Sequence, residues 1–340
     1  MSPDDYDYEL PQALIAQHPA PNRGDAKMMV LRDDHVVHTT AQMLAEHVPE
    51  GALVVVNASK VVPARTIATR TSDGRTFELL WCAPAAGQGP GARVRAWVRG
   101  GRRLRTSDEL QLHELRARVT DVGDGREREL EITHGELLPT LQAVGTIPLP
   151  PYIEREATAE DRERYQTRYA DRDGSIAAPT AGLHLEPELL AKLDVARLRL
   201  HVGPGTFLPM DVADVRDHRV GAERIELDDD DAARIEAARS EGRPILAVGT
   251  TVVRALETIF AQHGRVRAHH GSTELVITPD HRFGVVTELL TNFHLPKSSL
   301  LMLVASFGGH ARVMSAYREA VRAGYRFYSY GDCMLVSRSR

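Results

Sequence analysis

The sequence predicts an α/β main domain carrying an inserted small antiparallel β-barrel-like domain. Three observations predict it. A length of 340 residues suits about two units of roughly 100–200 residues each. Period-two alternation is confined to one stretch, between about Val62 and Gly145. On either side of it the grammar is strand, loop and helix, which implies a sheet covered by helices.

The N-terminal stretch to Asn57 holds strand candidates at Met28–Leu31 and Leu53–Val56, which fit the main layer. In the period-two stretch Val94, Ala96 and Val98 share one face, as do Leu110 with Leu112, Ala117 with Val119, and Leu130 with Ile132. Gly100-Gly101 and Gly123-Asp124-Gly125 separate these runs as turns. Pro148-Leu149-Pro150-Pro151 closes the stretch, because proline does not continue a strand or helix interior. The expected boundaries are therefore 62–147 for the insertion, and 1–61 with 148–340 for the α/β domain. Beyond the prolines, Val195–Val202 reads as a strand ending in the loop Gly203-Pro204-Gly205-Thr206. Asp229–Arg239 reads as a helix with acids in its first turn, where the helix dipole favours them, stopped by Gly242. Ile245–Val248 is a short buried strand. Gly249-Thr250-Thr251 follows, then the helix Val252–Ala261 with Val252, Val253, Leu256, Ile259 and Phe260 as its apolar stripe. Ser298 or Ser299 caps an apolar helix at Leu300–Phe307.

Composition excludes several function classes. With 42 Lys+Arg against 47 Asp+Glu, the net charge of −5 argues against coating nucleic acid through bulk charge, and leaves room for a local basic patch. Cys82 and Cys333 are too few for a disulfide framework or a cysteine zinc site, so a reducing cytoplasmic home is expected. The apolar run Leu300–Ala305 falls far short of the ~20 residues of a membrane span, and Met1-Ser2-Pro3-Asp4-Asp5 has the wrong chemistry for a signal peptide. No membrane partner is expected. None of the four lysines follows a glycine, which removes a Walker phosphate loop, and neither a His-Glu-x-x-His helix nor a Gly-x-Ser-x-Gly elbow occurs. Gly87, Gly89 and Gly91 precede an alternating run and read as a hairpin loop.

Chemistry concentrates at the strand ends. Gly249-Thr250-Thr251 puts free amides and two hydroxyls at a helix start, a place for a carboxylate, phosphate or ribose, with a plain N-cap as the competing reading. Arg254 and Glu257 stand one turn apart and read as a surface ion pair. Pro179-Thr180-Ala181-Gly182-Leu183-His184 and His201-Val202-Gly203-Pro204-Gly205-Thr206-Phe207 each set a histidine beside small residues that let a ligand approach the backbone. Asn292-Phe293-His294-Leu295-Pro296 is a third such cluster. Ligands in open α/β sheets bind at such ends. In the insertion, Arg93, Arg95, Arg99, Arg102, Arg103 and Arg105 fall within thirteen residues that contain no acid. With Trp97 on the face of Arg93, Arg95 and Arg99, this stripe suits phosphates and a stacked base; a merely solvated strand face is the alternative.

Read together, the blocks make the chain resemble the S-adenosylmethionine:tRNA ribosyltransferase-isomerase (QueA) family of queuosine biosynthesis. The likeness runs through Tyr6–Pro11, Lys60–Arg65, Ile147–Ile153, Arg164–Thr167, Ala177–His184, Leu200–Phe207, Val248–Glu257, Leu289–Pro296 and Tyr325–Asp332. The resemblance implies an α/β domain with an inserted barrel. It also implies S-adenosylmethionine as co-substrate without a metal, and tRNA carrying 7-aminomethyl-7-deazaguanine at the wobble position as partner. The implied reaction moves the ribosyl group of the donor onto that base and isomerises it, releasing adenine and methionine and giving epoxyqueuosine. Such a site needs a base for the C5′ proton beside the sulfonium, a dry pocket, and a grip on a splayed-out wobble base.

On this resemblance His184 or His201 is the expected base. Gly249, Thr250, Thr251 and Arg254 are expected to hold the donor, with Thr180, Gly182, Gly203, Gly205 and Thr206 lining the pocket. His218 and Glu223 are expected at the acceptor or ribose, Asn292 and His294 in the same cleft, and Arg93, Arg95, Trp97, Arg99, Arg102 and Arg103 on tRNA. Some polar positions depart from the family's usual motifs. Asn57-Ala58-Ser59 stands for Asn-Asp-Thr, and Gly221 replaces the second histidine of His-x-Met-His-x-Glu. Pro279–Phe283 lacks the usual Pro-Gly-Tyr-x-Phe pattern, and Thr287 replaces an acid. Two other readings therefore stay open: a relative with a different acceptor, and an inactive member that only binds tRNA or a nucleoside.

Overall fold

A computed structural model describes residues 1–339 except 34, 86, 124, 208 and 209, and describes only the backbone of 206 and 207. Seventeen strands occur in the order β1 Lys27–Arg32, β2 His35–Thr40, β3 Leu53–Asn57, β4 Ser59–Val61, β5 Arg65–Arg70, β6 Thr76–Cys82, β7 Arg93–Val98, β8 Glu109–Leu112, β9 Leu115–Asp121, β10 Glu127–His134, β11 Arg172–Ser175, β12 Asp194–Leu200, β13 Glu223–Leu227, β14 Ile245–Val248, β15 His269–Thr273, β16 Glu288–Asn292 and β17 Cys333–Ser337. The helices of eight residues or more are α1 Leu137–Val144, α2 Asp229–Ser240, α3 Thr250–His263, α4 Ser299–Gly308 and α5 His310–Arg322.

Strands β5 to β10 close into an antiparallel barrel in the order β10-β7-β6-β5-β8-β9. The apolar residues expected on one face point inward: Val94, Ala96, Val98, Leu110, Leu112, Ala117, Val119, Leu130 and Ile132 are all buried in one core with Phe77, Leu79 and Trp81. Trp81 satisfies its buried indole N–H by donating to Thr66 Oγ1 at 2.8 Å, which removes the cost of a lone polar group inside. Helix α1 adds Leu137 and Leu141 to this core; its Pro139 sits in the first turn, where proline is tolerated. Ile176, far along the chain after β11, packs into the same core and ties the barrel to the main sheet.

The main sheet has nine strands in the order β15-β13-β12-β3-β14-β16-β17-β1-β2. Its middle, β12-β3-β14-β16, is parallel, and β13, β15 and β17 join antiparallel. The uninterrupted apolar runs of β3 and β14 lie in this parallel middle, buried on both faces, as strands covered by helices must be. One face packs against α2, α3, α4 and α5 through Val252, Val253, Leu256, Ile259, Leu301, Val304 and Tyr317. Ser298 caps α4 by accepting from Leu301 N at 3.2 Å.

Helix α3 departs from the sequence expectation in one respect that matters. Arg254 and Glu257 are not a surface ion pair. They are 7% and 2% exposed, and each bonds elsewhere. Glu257 accepts from the successive amides of Gly284, Val285 and Val286 at 2.8, 3.1 and 3.1 Å, holding the segment before β16 against the helix. Among the described residues no helix is long and apolar enough to cross a membrane.

Candidate functional site

The carboxyl ends of the parallel strands β12, β3, β14 and β16 open onto a crevice, the usual place for a ligand in such a sheet. Asn57, last in β3, ties these ends together. Its Oδ1 accepts from Leu200 N and Ser59 N, both at 3.1 Å, and its Nδ2 donates to Leu200 O at 2.9 Å and to Thr251 Oγ1 at 3.2 Å. Sequence reasoning passed over Asn57 because its four partners come from three separate segments.

Two cavities flank this knot. The first, about 270 Å³, is lined by Thr180, Gly249, Thr250, Thr251, Asn292 and His294 together with Tyr152, Tyr165 and Tyr328. Gly249 takes φ +95°, which turns the chain from β14 into α3 and leaves the first amides of that helix facing the cavity. Asn292 Oδ1 accepts from Thr180 Oγ1 at 2.8 Å, while its Nδ2 lies 3.2 Å from His184 Nε2. His184 thus stands behind Asn292, in a separate void of about 20 Å³ beside Arg23 and Arg326. Burial, then the charges of Arg326 and Arg23, push its pKa down to about 4. Gly182, expected in the pocket, does not line the cavity; a β-carbon there would come 2.0 Å from Tyr169 Oη, so its small size serves packing. His294 lies 2.9 Å from Thr291 Oγ1, and burial lowers its pKa to about 3.

The second cavity, about 230 Å³, is lined by His201, Gly203 and Gly205 from the loop after β12, Glu223 from β13 and Arg254 from α3, and by Arg95 and Trp97 from the barrel. His201 Nε2 lies 3.2 Å from Glu226 Oε1 and 3.1 Å from Arg224 Nη2, and its buried Nδ1 has no partner among the described residues. The ring packs on Gly174, where a β-carbon would come 2.3 Å from Nδ1. Burial and then Arg224 pull the His201 pKa down to about 4 against the opposing charge of Glu226. Burial alone would raise Glu226; the Arg172 guanidinium, with His201 and Arg224, outweighs it and holds the carboxyl below its ordinary value. Glu223 accepts from Gly203 N at 2.8 Å and forms a buried ion pair with Arg254, whose Nε donates to Leu275 O at 2.8 Å. Leu300 lines both cavities, and Val202 lines the first while His201 and Gly203 line the second, so one strand end separates the two.

The structure does not bring every expected residue here. His218 is buried but lines neither cavity, and its pKa is lowered by burial and by Arg219. The Thr206 side chain lies outside the described residues. On β7 the alternation places Arg93, Arg95 and Trp97 outward, but the stripe is not free of acids in space. Arg93 meets Glu129 at 3.5 Å, Arg95 meets Glu127 at 3.4 Å, and Arg99 meets Glu78 at 3.7 Å. The guanidinium of Arg126 lies 4.0 Å over the Trp97 ring. Arg102 and Arg103 stand exposed on the turn Gly101–Arg103. Among the described residues no group of three His, Cys, Asp or Glu could hold a metal ion.

A family model described as queuosine biosynthesis protein matches residues 3–336. The chain belongs to this family. It is 44% identical to the S-adenosylmethionine:tRNA ribosyltransferase-isomerase of Nitratidesulfovibrio vulgaris (strain DP4), covering 97% of this chain and 96% of that one. It is 46% identical to the protein of that name from Anaeromyxobacter dehalogenans (strain 2CP-1), covering 98% and 99%. The crystal structure of S-adenosylmethionine tRNA ribosyltransferase from Thermotoga maritima is 33% identical, with a TM-score of 0.54 over 97% of this chain and 99% of that one.

Three positions expected from the sequence to depart from the queuosine biosynthesis family's motifs find their places. Ala58 is fully buried next to the Asn57 knot. Thr287 is structural, its hydroxyl accepting from Ile245 N at 2.8 Å beside β14. Gly221 lines the charged cavity, and a β-carbon there would meet nothing within 4 Å, so the position borders open space.

Proposed function

We propose that the protein transfers and isomerises the ribosyl moiety of S-adenosylmethionine onto 7-aminomethyl-7-deazaguanine at the wobble position of tRNA, releasing adenine and methionine and yielding epoxyqueuosine. The observation that carries this reading is the pair of adjoining cavities at one strand end, in a chain 44–46% identical along its length to enzymes of that name.

In this reading the donor occupies the neutral cavity, its carboxylate at the amides of Gly249, Thr250 and Thr251, where the start of α3 favours negative charge. The wobble base enters the charged cavity from the barrel side, between Trp97 and the Gly203–Gly205 loop. The sulfonium acidifies the adjacent C5′–H. His201, neutral at pH 7 because it is buried, takes that proton on its ring, while Glu226 beside Nε2 steadies the imidazolium that forms. Adenine then leaves, the acceptor amine attacks, and epoxide closure expels methionine. Glu223 holds Gly203 in place through its amide and Arg254 anchors Glu223, so both act by positioning. His184 orients Asn292 from behind. Residues 62–147 serve as the inserted tRNA-facing domain, and 1–61 with 148–340 as the α/β catalytic domain. The working place is the cytoplasm, where tRNA is modified.

The test is incubation with S-adenosylmethionine, with and without tRNA bearing 7-aminomethyl-7-deazaguanine, measuring adenine and methionine. Release that depends on this tRNA is expected. Release without it would favour a different acceptor, consistent with the open space at Gly221, and no release under either condition would make the chain a binding protein only.

A further inference from the structure

The two cavities differ in charge. Arg95, Glu127, Glu223, Arg224 and Arg254 line the second, whereas no Asp, Glu, Lys or Arg is among the described residues lining the first. A cation placed in the first cavity meets no counter-ion, and what can stabilise it there is the electron-rich face of an aromatic ring.

Such faces are present. Tyr152 and Tyr328 stack with ring centroids 3.9 Å apart and planes at 36°, a separation that leaves no room for a group between them, so a ligand meets the pair as a wall. Tyr328 takes φ +74°, a conformation seldom adopted by an aromatic residue and a mark of function where surrounding structure enforces it. Here it is enforced: Tyr328 N donates to Phe293 O at 3.0 Å, and Gly331 N donates to Tyr328 O at 2.9 Å. The turn also requires Gly331, whose β-carbon would come 2.5 Å from the Arg326 carbonyl oxygen. Tyr152 is fixed from its other end, its hydroxyl 2.6 Å from Ser329 Oγ, while the buried Tyr328 hydroxyl has no partner among the described residues.

We propose that the Tyr152–Tyr328 wall reads the positive charge of the donor, making these two tyrosines the specificity-determining residues that favour a sulfonium over a neutral thioether. This rests on the functional reading above, which places the donor in the neutral cavity.

The experiment is calorimetric titration of the full-length protein with S-adenosylmethionine and with S-adenosylhomocysteine, which keeps the adenine and the carboxylate but lacks the charge. The wild type is expected to bind the sulfonium roughly 3- to 30-fold more tightly, within the range that runs from an exposed to a desolvated cation on aromatic faces. Tyr328→Leu and Tyr152→Leu are expected to bring that ratio below about twofold, and Tyr328→Phe, which keeps the face, to preserve it. A wild-type ratio of one or less overturns the proposal without any variant. So does an equal loss for both nucleosides in the Leu variants, which would assign the rings to adenine. If the wild type binds neither nucleoside, the functional reading falls, and this inference with it.

Discussion

Lowering the pH from 7 to 5 should strip stability from the α/β part through three buried histidines. His184 and His201 have folded pKa values of about 4, and His294 of about 3, each depressed first by burial. The unfolded chain holds the same imidazoles near 6.5. The folded state therefore refuses protons that the unfolded state binds. The stability is intact above about pH 6.5, drains away as the pH falls toward the folded values, and levels off below about 4 for His184 and His201. At pH 5 each group costs about 2 kcal/mol, and the three together about 6 kcal/mol, a large share of a typical folding free energy. Glu288, whose carboxyl is pushed up by burial, acts in the opposite sense and offsets part of this. Urea unfolding followed by far-UV circular dichroism measures the effect, since four of the five longer helices lie outside the barrel stretch. His294→Gln should recover roughly a third of the loss between pH 7 and 5. A urea midpoint that stays flat across that window, or a His294→Gln protein with the wild-type slope, would refute the burial argument.

Three further outcomes are expected. His201→Ala should lower kcat by about 10²- to 10⁴-fold, the usual range for a lost general base, while far-UV dichroism stays unchanged. Gly174→Ala should cause a comparable loss, because its β-carbon would displace the imidazole; wild-type turnover in both variants would remove His201 from the chemistry. Arg254→Met removes the ion-pair partner of Glu223 in a site where both are under 10% exposed, leaving the carboxylate its Gly203 amide, and should cost up to roughly 3–5 kcal/mol in urea unfolding. A cost below about 1 kcal/mol would mean that the pair is well solvated. Charge reversal at Arg95 and Arg99 should weaken tRNA binding and flatten the dependence of log K on log salt by about 0.9 per lost phosphate contact, and an unchanged slope would return these arginines to their partners Glu127 and Glu78.

The barrel was legible in the sequence because its signal is local. Each strand alternates between a buried and a wet face, so Val94, Ala96 and Val98 declare their side within five residues. Helices α2, α3 and α4 were legible for the same reason, through acids in the first turn, a stripe at helical spacing and a serine cap. Strands β13, β15, β16 and β17 were not read from pattern. Gly271 interrupts β15, Glu223 and Glu226 break the apolar run of β13, and β16 and β17 are short uniform runs whose period says nothing.

The amino-acid order by itself marked which loops are candidates for chemistry, since glycine, threonine and histidine at strand ends are a property of neighbouring residues, and it determined the family through blocks spread along the whole chain. Tertiary structure alone decided what surrounds each residue there. His184 and His201 look alike in sequence, yet one faces Asn292 and the other buries its Nδ1 against Gly174 beside the charged cavity. Arg254 turns from Glu257, its neighbour on the helix, to Glu223, thirty-one positions away. The arginines of β7 look unpaired along the chain and meet their acids across the barrel, and Tyr152 stacks on Tyr328 although 176 residues separate them. Protonation, pairing and stacking depend on distance in space and on exclusion of water, and neither quantity exists until the chain has folded.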